Sequence, residues 1–455
     1  MPASSPPLSL CFRLFVATSA AACIENYQVG QNPLETDTAG SDSDDSGTEP
    51  TPGVCGDGVL DEGEACDDGD DDPEDGCDFE CRRTAVVEWT RTDRGVAEQG
   101  AKAVDVAIDP TGRIVVVGSE REAEGAERGL VLVLDPGGEV VWRRTHPGPA
   151  SDNSLFVAVE VDAAGRIFVA GGEAGPDART SVVRGFGPAA EELWTFRETL
   201  PKPFGQGQAL ALGPGGLYSA SNEGQVDTSV RLVVRHHDLL TGAATWQSSG
   251  SEPMVEYGYD IAASGARLTV VGTTTPVDGQ LPRPLVASFA LDGTRVADHI
   301  DAQVEGEWYG VAPIGAAGDL MLAGYVRHAG EIGWDAVLRR VDADNQEVWT
   351  FYDDSASELF QNVAVRADET LVVTGAGRVG DSYDLYTYTR RFAGDGATIW
   401  SSQRLDAGPD MNEMGAGVTF GPGFMVTVGV WWEDVGAPSG QGDQLNLWIR
   451  RFADD

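Results

Sequence analysis

The sequence predicts an all-β fold, namely a seven-bladed β-propeller that is closed by an N-terminal strand and preceded by a small disulfide-rich module. Two series of residues recur along the 455-residue chain with nearly constant spacing, and short β-rich runs with Gly and Pro turns lie between them. All six cysteines fall within the first 81 residues. Four-stranded units with a period of about 50 residues are typical of propeller blades, whereas solenoid repeats are shorter or helical.

The first series is a glycine that ends a β-rich run, with Ser221 in its place in the third unit. Successive gaps are 53, 50, 51, 52, 51 and 54 residues. The glycines are Gly118, Gly171, Gly272, Gly324, Gly375 and Gly429. We therefore expect a strand to end at the same point of each unit.

The second series is a tryptophan, with Ala297 in its place in the fourth unit and gaps of 53, 52, 52, 51, 52 and 51 residues. The tryptophans are Trp89, Trp142, Trp194, Trp246, Trp349 and Trp400. A large flat side chain at this period is expected to fill the gap between neighbouring wedge-shaped blades.

The two ends of the repeating region predict how the ring closes. The chain stops after the third run of the seventh unit, and the missing fourth run, with its Trp, lies at residues 85–91. Pairing that run with the last blade would remove two open sheet edges. We therefore predict a propeller domain over residues 84–455.

Two turn motifs carry a family resemblance. The third unit reads Asp-Leu-Leu-Thr-Gly at residues 238–242 before Trp246, and the fifth reads Asp-Ala-Asp-Asn at residues 342–345 before Trp349. With these motifs the domain resembles the bacterial PQQ-like family of propellers. Quinoprotein dehydrogenases of this fold usually carry a disulfide between adjacent cysteines over the cofactor, and the propeller region has no cysteine. We therefore expect no cofactor in the propeller. Another relative, the lipoprotein propeller of the outer-membrane assembly machinery, is a scaffold without chemistry, which favours binding.

Residues 1–23 are predicted to be a signal peptide. The apolar run that ends in Ala-Ala-Ala-Cys at residues 20–23 is too short for a transmembrane helix. Small residues before a cysteine resemble the bacterial lipobox, which implies lipidation of Cys23 and an anchor at the outer membrane or cell surface after secretion across the inner membrane. The alternative is an ordinary signal peptide that is cleaved nearby. Residues 24–54 are rich in acids and turn formers, so we expect a disordered tether.

Residues 55–83 are predicted to form a disulfide module. Four cysteines in this short stretch, beside a secretion signal, imply two disulfides whose connectivity the sequence leaves open. These cysteines are Cys55, Cys66, Cys77 and Cys81. The Cys-Gly-Asp-Gly, Cys-Asp-Asp-Gly and Asp-Gly-Cys runs at residues 55–58, 66–69 and 75–77 resemble the myxobacterial-type cysteine-rich repeat of bacterial surface proteins. The resemblance implies an extracellular module, often borne on a lipoprotein, without implying an activity.

The acidic residues of the module are candidate calcium ligands, because calcium prefers six to eight oxygen ligands. The candidates are Asp57, Asp67, Asp68 and Asp75. The alternative is a solvated acidic loop between disulfides.

Composition excludes several functions. A net charge of -42 argues against nucleic acid, which requires clustered Lys and Arg. Neither Lys102 nor Lys202 follows a Gly, so there is no P-loop. His236 and His237 are adjacent in a predicted strand and point to opposite faces, which disfavours a shared metal. The Gly-x-Gly-x-x-Gly at residues 375–380 has no helix after it, so we interpret it as a repeat glycine and a loop.

The long loops are predicted to emerge on one rim, where acids such as Glu307 adjoin aromatic residues. Exposed aromatics on a rigid scaffold suit contacts with a protein or glycan, and the alternative is that they cap the blade ends. The candidate rim residues are Phe156, Tyr257, Tyr259, Trp308, Tyr309, Trp334, Phe360, Tyr383, Trp431 and Trp432.

Two functions remain open. The first is a monomeric, lipid-anchored binding or assembly scaffold at the cell surface, whose membrane contact is through the lipid alone. The second is a secreted polysaccharide hydrolase or lyase. An Ala- and Gly-lined channel with an aromatic rim would favour the scaffold. Three or more buried carboxylates that converge at the channel mouth would favour the enzyme.

Overall fold

The computed structural model describes residues 56–60, 64–70, 75–77, 81–148, 153–174, 179–200, 205–224, 230–250, 254–276, 281–315, 318–328, 333–353, 358–378, 385–404, 411–433 and 445–454. Within these ranges the secondary structure is entirely β, and no helix has the length and apolarity that crossing a membrane requires.

Seven four-stranded antiparallel sheets form the blades of a propeller, which confirms the predicted fold class. Blade 1 contains β2 (Ala101–Ile108), β3 (Ile114–Arg121), β4 (Glu127–Leu134) and β5 (Val140–His146). Blade 2 contains β6 (Ser154–Val161), β7 (Ile167–Ala174), β8 (Arg179–Phe186) and β9 (Glu192–Leu200). Blade 3 contains β10 (Gly205–Gly213), β11 (Gly216–Gly224), β12 (Val230–His237) and β13 (Ala244–Ser249). Blade 4 contains β14 (Met254–Ser264), β15 (Arg267–Pro276), β16 (Arg283–Ala290) and β17 (Arg295–Ile300).

The remaining blades follow the same order. Blade 5 contains β18 (Glu305–Ile314), β19 (Asp319–Arg327), β20 (Asp335–Val341) and β21 (Glu347–Asp353). Blade 6 contains β22 (Leu359–Val365), β23 (Leu371–Arg378), β24 (Leu385–Phe392) and β25 (Thr398–Arg404). Blade 7 contains β26 (Met411–Gly421), β27 (Phe424–Glu433), β28 (Asn446–Ala453) and β1 (Val87–Asp93). The first strand of each blade contacts its counterparts in the neighbouring blades, so these inner strands line the central channel.

The ring closes through the N-terminal strand, as predicted. β1 pairs antiparallel with β28, from Val87 opposite Phe452 to Asp93 opposite Leu447. Since neighbouring strands are antiparallel, each inner strand begins, and each second strand ends, at the same end of the molecule. We call this end the loop face. The opposite end, which holds the tight turns and the start of β1, is the turn face.

Four of the six periodic tryptophans donate a hydrogen bond to the tight turn of the next blade, as expected for a residue that fills the gap between blades. Trp246 Nε1 donates to the Leu291 carbonyl at 3.1 Å, and a Cβ on Gly293 would lie 2.7 Å from the Trp246 ring. Gly293 has φ +88°, a conformation that favours glycine. Trp89, Trp194 and Trp349 make the same bond to Pro136, Leu239 and Gly394 at 3.2, 3.0 and 3.1 Å.

We call the interface between two neighbouring blades a seam. The seam between blades 4 and 5 is built differently. Ala297 stands at the Trp position of blade 4 and is exposed, and the facing turn of blade 5 has Asn345, at φ +59°, instead of a glycine. This seam is filled from the inner strand by Trp308, which is 2% exposed and packs in the apolar cluster that joins the two blades. Phe156 and Phe360 occupy the equivalent inner-strand position at seams that keep the outer Trp, so a large ring at this position is not confined to the seam that lacks it.

The repeated glycine marks a β-bulge on the inner strand, which the sequence analysis did not identify. In blade 1 the bulge lies between Ala103 and Asp105, and Ala103 is opposite Gly118. A Cβ on Gly118 would lie 1.9 Å from the carbonyl oxygen of Lys102. The other six inner strands carry a bulge at the same place. The close approach of two backbones explains the glycine in six blades, whereas in blade 3 Ser221 takes the place opposite Gly207. The expectation that the strand ends at this glycine is wrong, because β3 continues to Arg121.

The module next to the propeller contains a disulfide between Cys66 and Cys77, with a Cα–Cα distance of 5.8 Å. Cys81 is also disulfide-bonded. Cys23 and Cys55 lie outside the described residues, as does the predicted tether. After the module, Ala85 is buried in the apolar cluster between blades 6 and 7. The module therefore leads into the propeller from the turn face.

Candidate functional site

The predicted binding rim is largely buried. Phe156, Trp308, Tyr309 and Phe360 are each at most 2% exposed. The expectation of exposed rings is wrong for these four residues, because their side chains pack between neighbouring blades. The alternative, in which the aromatic residues fill and cap the blade ends, holds for them.

The other rim residues divide in the same way. Tyr259 and Trp432 are buried, whereas Tyr257, Trp334 and Trp431 are half-buried. Tyr383 lies outside the described residues. Of the predicted rim residues that the structure describes, these three half-buried aromatics offer the accessible ring surface.

Five rings form a continuous cluster on the loop face of blades 4 and 5, which we call the mouth cluster. Its members are Tyr257, Tyr259, Tyr309, Tyr325 and Trp334. Successive ring centroids along this order lie 6.4, 5.3, 5.9 and 5.8 Å apart. Tyr259 and Tyr309 are the extra residues of their bulges, and bulges commonly re-aim side chains near functional sites. The mouth cluster thus follows the channel rim from one blade to the next.

Cations from the chain itself already lie over rings in this region. The Arg378 guanidinium is 5.3 Å from the Trp334 ring centroid, and that of Arg339 is 5.4 Å from the Trp308 ring. These are cation–π distances. The rings of Trp334 and Trp308 are therefore already in contact with cations of the chain itself.

Buried acid–Arg pairs recur in the blades near the loop face. In blades 4, 6 and 7 the acid lies two residues before the inner-strand residue that faces the repeated glycine. The pairs are Glu256–Arg295, Glu358–Arg390 and Glu413–Arg450, at 2.8, 3.2 and 3.4 Å. Burial raises the pKa of Glu358 to about 7, against the lowering effect of Arg390. These carboxylates serve the interior of their own blades.

Blade 5 departs from this arrangement. Gly306 stands at the position of the paired acid, and the carboxylate comes one residue later, at Glu307, which is 1% exposed. Because side chains alternate along a strand, Glu307 faces the other side of the sheet, opposite Tyr325 of the mouth cluster. Arg339 instead contacts Asp301 at 3.5 Å. Burial, with a smaller contribution from the charge of Glu307, raises the pKa of Tyr257.

Three further carboxylates lie on the inner strands along the channel. Asp105 accepts the Val159 N–H at 2.8 Å, and Asp260 accepts the Val311 N–H at 2.9 Å. Glu160 accepts a backbone N–H from the third blade, and burial together with the charges of Asp105 and Asp260 raises its pKa to about 8. Each carboxyl group therefore fastens its blade to the next one.

The channel wall contains both small residues, which would favour a scaffold, and polar residues, which would favour an enzyme. The residues that follow the seven bulges are Asp105, Ala158, Ala209, Asp260, Gly310, Asn362 and Gly417. Small residues occupy four of these positions and polar residues three. Sequence reasoning missed the channel carboxylates, because Asp105 and Asp260 take equivalent positions only when the blades are aligned on their bulges.

Two buried histidines have structural surroundings. His237 lies 2.9 Å from Ser219 Oγ and 3.3 Å from the Gly242 carbonyl, and burial lowers its pKa to about 4. His146 contacts the rings of Phe156 and Phe186, and burial likewise lowers its pKa to about 4. Neutral, packed imidazoles fit a core better than a catalytic base.

In the disulfide module, Asp67 accepts the backbone N–H groups of Gly58 and Gly69 at 2.9 and 3.0 Å, which gives it a role within the loop. The exposed carboxylates of Asp68, Asp70 and Asp75 have oxygens within 4.8 Å of one another. Asp57 accepts the Val59 N–H at 2.9 Å. Calcium binding at these acids stays a prediction.

No protein-family model matches the chain. The curated proteins likewise contain no match. Solved structures of similar shape include the polysaccharide lyase Uly1, with 11% identity and a TM-score of 0.49 over 79% of this chain and 91% of that one. Quinohemoprotein alcohol dehydrogenase from Comamonas testosteroni has 10% identity and a TM-score of 0.41 over 80% and 76%. The β-propeller domain of the Trilobed protease from Pyrococcus furiosus has 9% identity and a TM-score of 0.44 over 77% and 95%. The assignment of the fold rests on the strand order and register described above.

Proposed function

We propose that the protein is a binding or assembly scaffold that presents the loop face of its propeller to a protein or glycan. The observation that carries the proposal is the mouth cluster, a continuous set of rings on the loop face with two half-buried members, Tyr257 and Trp334. Rings held on a rigid sheet supply contact area at low entropic cost.

The direction of the chain supports this presentation. The disulfide module joins the propeller at the turn face, so the loop face is the end of the propeller opposite the module. Lipidation at Cys23, a bacterial surface location and a myxobacterial-type module are parts of the same proposal. A Cys23→Ser variant is expected to leave the membrane fraction while its propeller still folds, and retention of that variant in the membrane fraction would remove the lipid anchor from the proposal.

A glycan array and a pull-down with the full chain test the scaffold role. Captured ligands should be lost when Tyr257 and Trp334 are both changed to Ala. Leu240 is a matched control, because it is 75% exposed on the turn face. Binding that survives the Tyr257 and Trp334 changes but is lost in Leu240→Ser would place the interaction on the wrong face and contradict the proposal.

A second candidate, cleavage of polysaccharide, is favoured by the channel carboxylates. Burial and the charges of Asp105 and Asp260 raise the pKa of Glu160 to about 8, and a carboxyl group with a raised pKa is what a general acid in glycosidic cleavage requires. Release of reducing ends from a polysaccharide panel, abolished in Glu160→Gln, would establish this candidate. No release by the wild-type chain from any substrate would leave the carboxylates with their role as fasteners.

A further inference from the structure

We infer that the disulfide module holds the closing strand β1 in place, and that reduction of the Cys66–Cys77 disulfide loosens this strand. The propeller thus has a redox-sensitive closure, which is independent of any ligand on the loop face. Three features of the junction between the module and the ring support this role.

Hydrogen bonds join the module to the residues that precede β1. The Thr84 N–H donates to the Gly76 carbonyl at 3.0 Å, next to the second cysteine of the disulfide. That cysteine, Cys77, forms an antiparallel β-bridge with Arg83. Arg83 Nε also donates to the carbonyl of Ala65 at 3.1 Å, directly before the first cysteine of the disulfide. Both halves of the disulfide are therefore connected to residues 83 and 84.

The same short segment is bound to the ring. The Ser401 N–H of β25 donates to the Arg83 carbonyl at 3.4 Å. Ala85 is 2% exposed in the apolar cluster between blades 6 and 7. The Ala453 N–H donates to the Val86 carbonyl at 2.9 Å, next to the paired residues of β1 and β28. The module is therefore connected to β1 through residues that are themselves fixed on blades 6 and 7.

The module depends on its disulfides for its shape. Within the part of the module that the structure describes, the buried side chains are those of Cys77 and Cys81, whereas Val59 and Leu60 are 58% and 64% exposed. Disulfides thus take the place of an apolar core. Loss of the Cys66–Cys77 disulfide is therefore expected to unfold the module and to remove its hydrogen bonds to residues 83 and 84.

The disulfide is open to a thiol at one of its two sulfurs. Cys66 is half-buried, whereas Cys77 is 1% exposed. A thiolate of an external dithiol attacks Sγ of Cys66, the S–S bond breaks, and Cys77 leaves as a thiolate that takes a proton from water. The second thiol of the reductant then displaces Cys66, so the dithiol is oxidised to a disulfide and two electrons pass to the module. Because all six cysteines lie within the first 81 residues, no group of the ring itself is reduced.

Hydrogen exchange of the full chain, measured by mass spectrometry with and without dithiothreitol, tests the inference. Reduction is expected to raise the exchange rate of the amides in β1 (Val87–Asp93) about ten-fold, because the strand then opens locally more often. The internal reference is β13 (Ala244–Ser249), the outer strand of blade 3, whose exchange rate should not change.

The double variant Cys66→Ala, Cys77→Ala separates this disulfide from the one that Cys81 forms. The variant should show the faster exchange of β1 without a reductant. Val59→Ala, a change at an exposed residue of the module that keeps the disulfide, is the matched control and should exchange like the wild-type chain.

Unchanged exchange of β1 in a reduced chain whose Cys66 and Cys77 thiols have been alkylated would overturn the inference, as would wild-type exchange of β1 in the double variant. An equal rise in β1 and β13 would also overturn it, because the whole propeller, and not its closing strand alone, would then be loosened.

Discussion

Two neighbouring seams of the propeller are held together by tryptophans from opposite ends of the sheet. Between blades 3 and 4, Trp246 of an outer strand covers Gly293, and the inner strand of blade 4 has Gly258. Between blades 4 and 5 the outer position is Ala297, and the inner position equivalent to Gly258 is Trp308. A blade can therefore lack the outer Trp and still pack against the next blade through its inner strand.

The largest expected effect comes from removing the strand that closes the ring. Deletion of residues 85–91 takes β1 away from β28 and opens a sheet edge, so the unfolding free energy should fall by about 5 kcal/mol or more. Thermal unfolding measures the change. Deletion of residues 24–54 is the control and should leave the melting temperature unchanged. An unchanged melting temperature without residues 85–91 would break the seven-blade register.

The two seams are compared directly by Trp308→Ala and Trp246→Ala. Trp308 is almost fully buried, so its truncation should cost about 4 kcal/mol, whereas half-buried Trp246 should cost about 2 kcal/mol. Denaturant unfolding of both variants measures the difference. A larger cost at Trp246 would mean that the outer tryptophan, rather than the inner one, carries the energy of a seam.

The contact of the Glu160 carboxyl group with the neighbouring blade predicts that the stability of the fold depends on pH. Glu160 keeps its proton in the folded state up to a pKa of about 8, whereas in the unfolded chain the group ionises near its ordinary value of 4.5. Stability should therefore fall as pH rises from 4.5 to 8 and then level off, with a total effect of about 1 to 2 kcal/mol after screening by water.

Glu160→Gln should remove this dependence, and melting temperatures between pH 5 and 9 measure it. Glu139→Gln, at an exposed residue, is the control and should keep the wild-type slope. A Glu160→Gln profile that runs parallel to the wild-type profile would contradict the fastening role.

The smallest expected effect comes from substitutions in two tight turns, one that faces Trp246 and one that faces Ala297. Gly293→Ala places a Cβ at positive φ and against the Trp246 ring, so it should cost about 2 kcal/mol. Asn345→Ala meets the same backbone strain without a facing tryptophan and should cost about 1 kcal/mol. Equal costs would show that backbone strain alone sets the energy of these turns.

The sequence predicts the fold because each of its two signals recurs in six of the seven blades at a nearly constant spacing. The Trp series reports a contact between outer strands and turns, and residues 85–91 stood out as the missing run of blade 7. The Gly series was visible, but the bulge behind it was not, since the clash of a Cβ with the Lys102 carbonyl depends on the pairing of two strands.

The candidate site was less accessible to sequence reasoning. Aromatic residues such as Phe156 and Phe360 were assigned to the surface, because composition does not say which residues of an inner strand face a neighbouring blade. Tyr325 joins the mouth cluster from a second strand, through a cross-strand pairing that no local motif announces. The departure of Glu307 from its repeat becomes visible only when the blades are aligned on their bulges.

The central claim is that the mouth cluster on the loop face binds the ligand, and a paired measurement on the double variant Tyr257→Ala, Trp334→Ala tests it most directly. Both side chains are half-buried, so the double variant should keep a cooperative thermal unfolding transition. The same variant should lose the ligands that the wild-type chain captures in the pull-down and on the glycan array. Unchanged capture by a folded double variant would contradict the account.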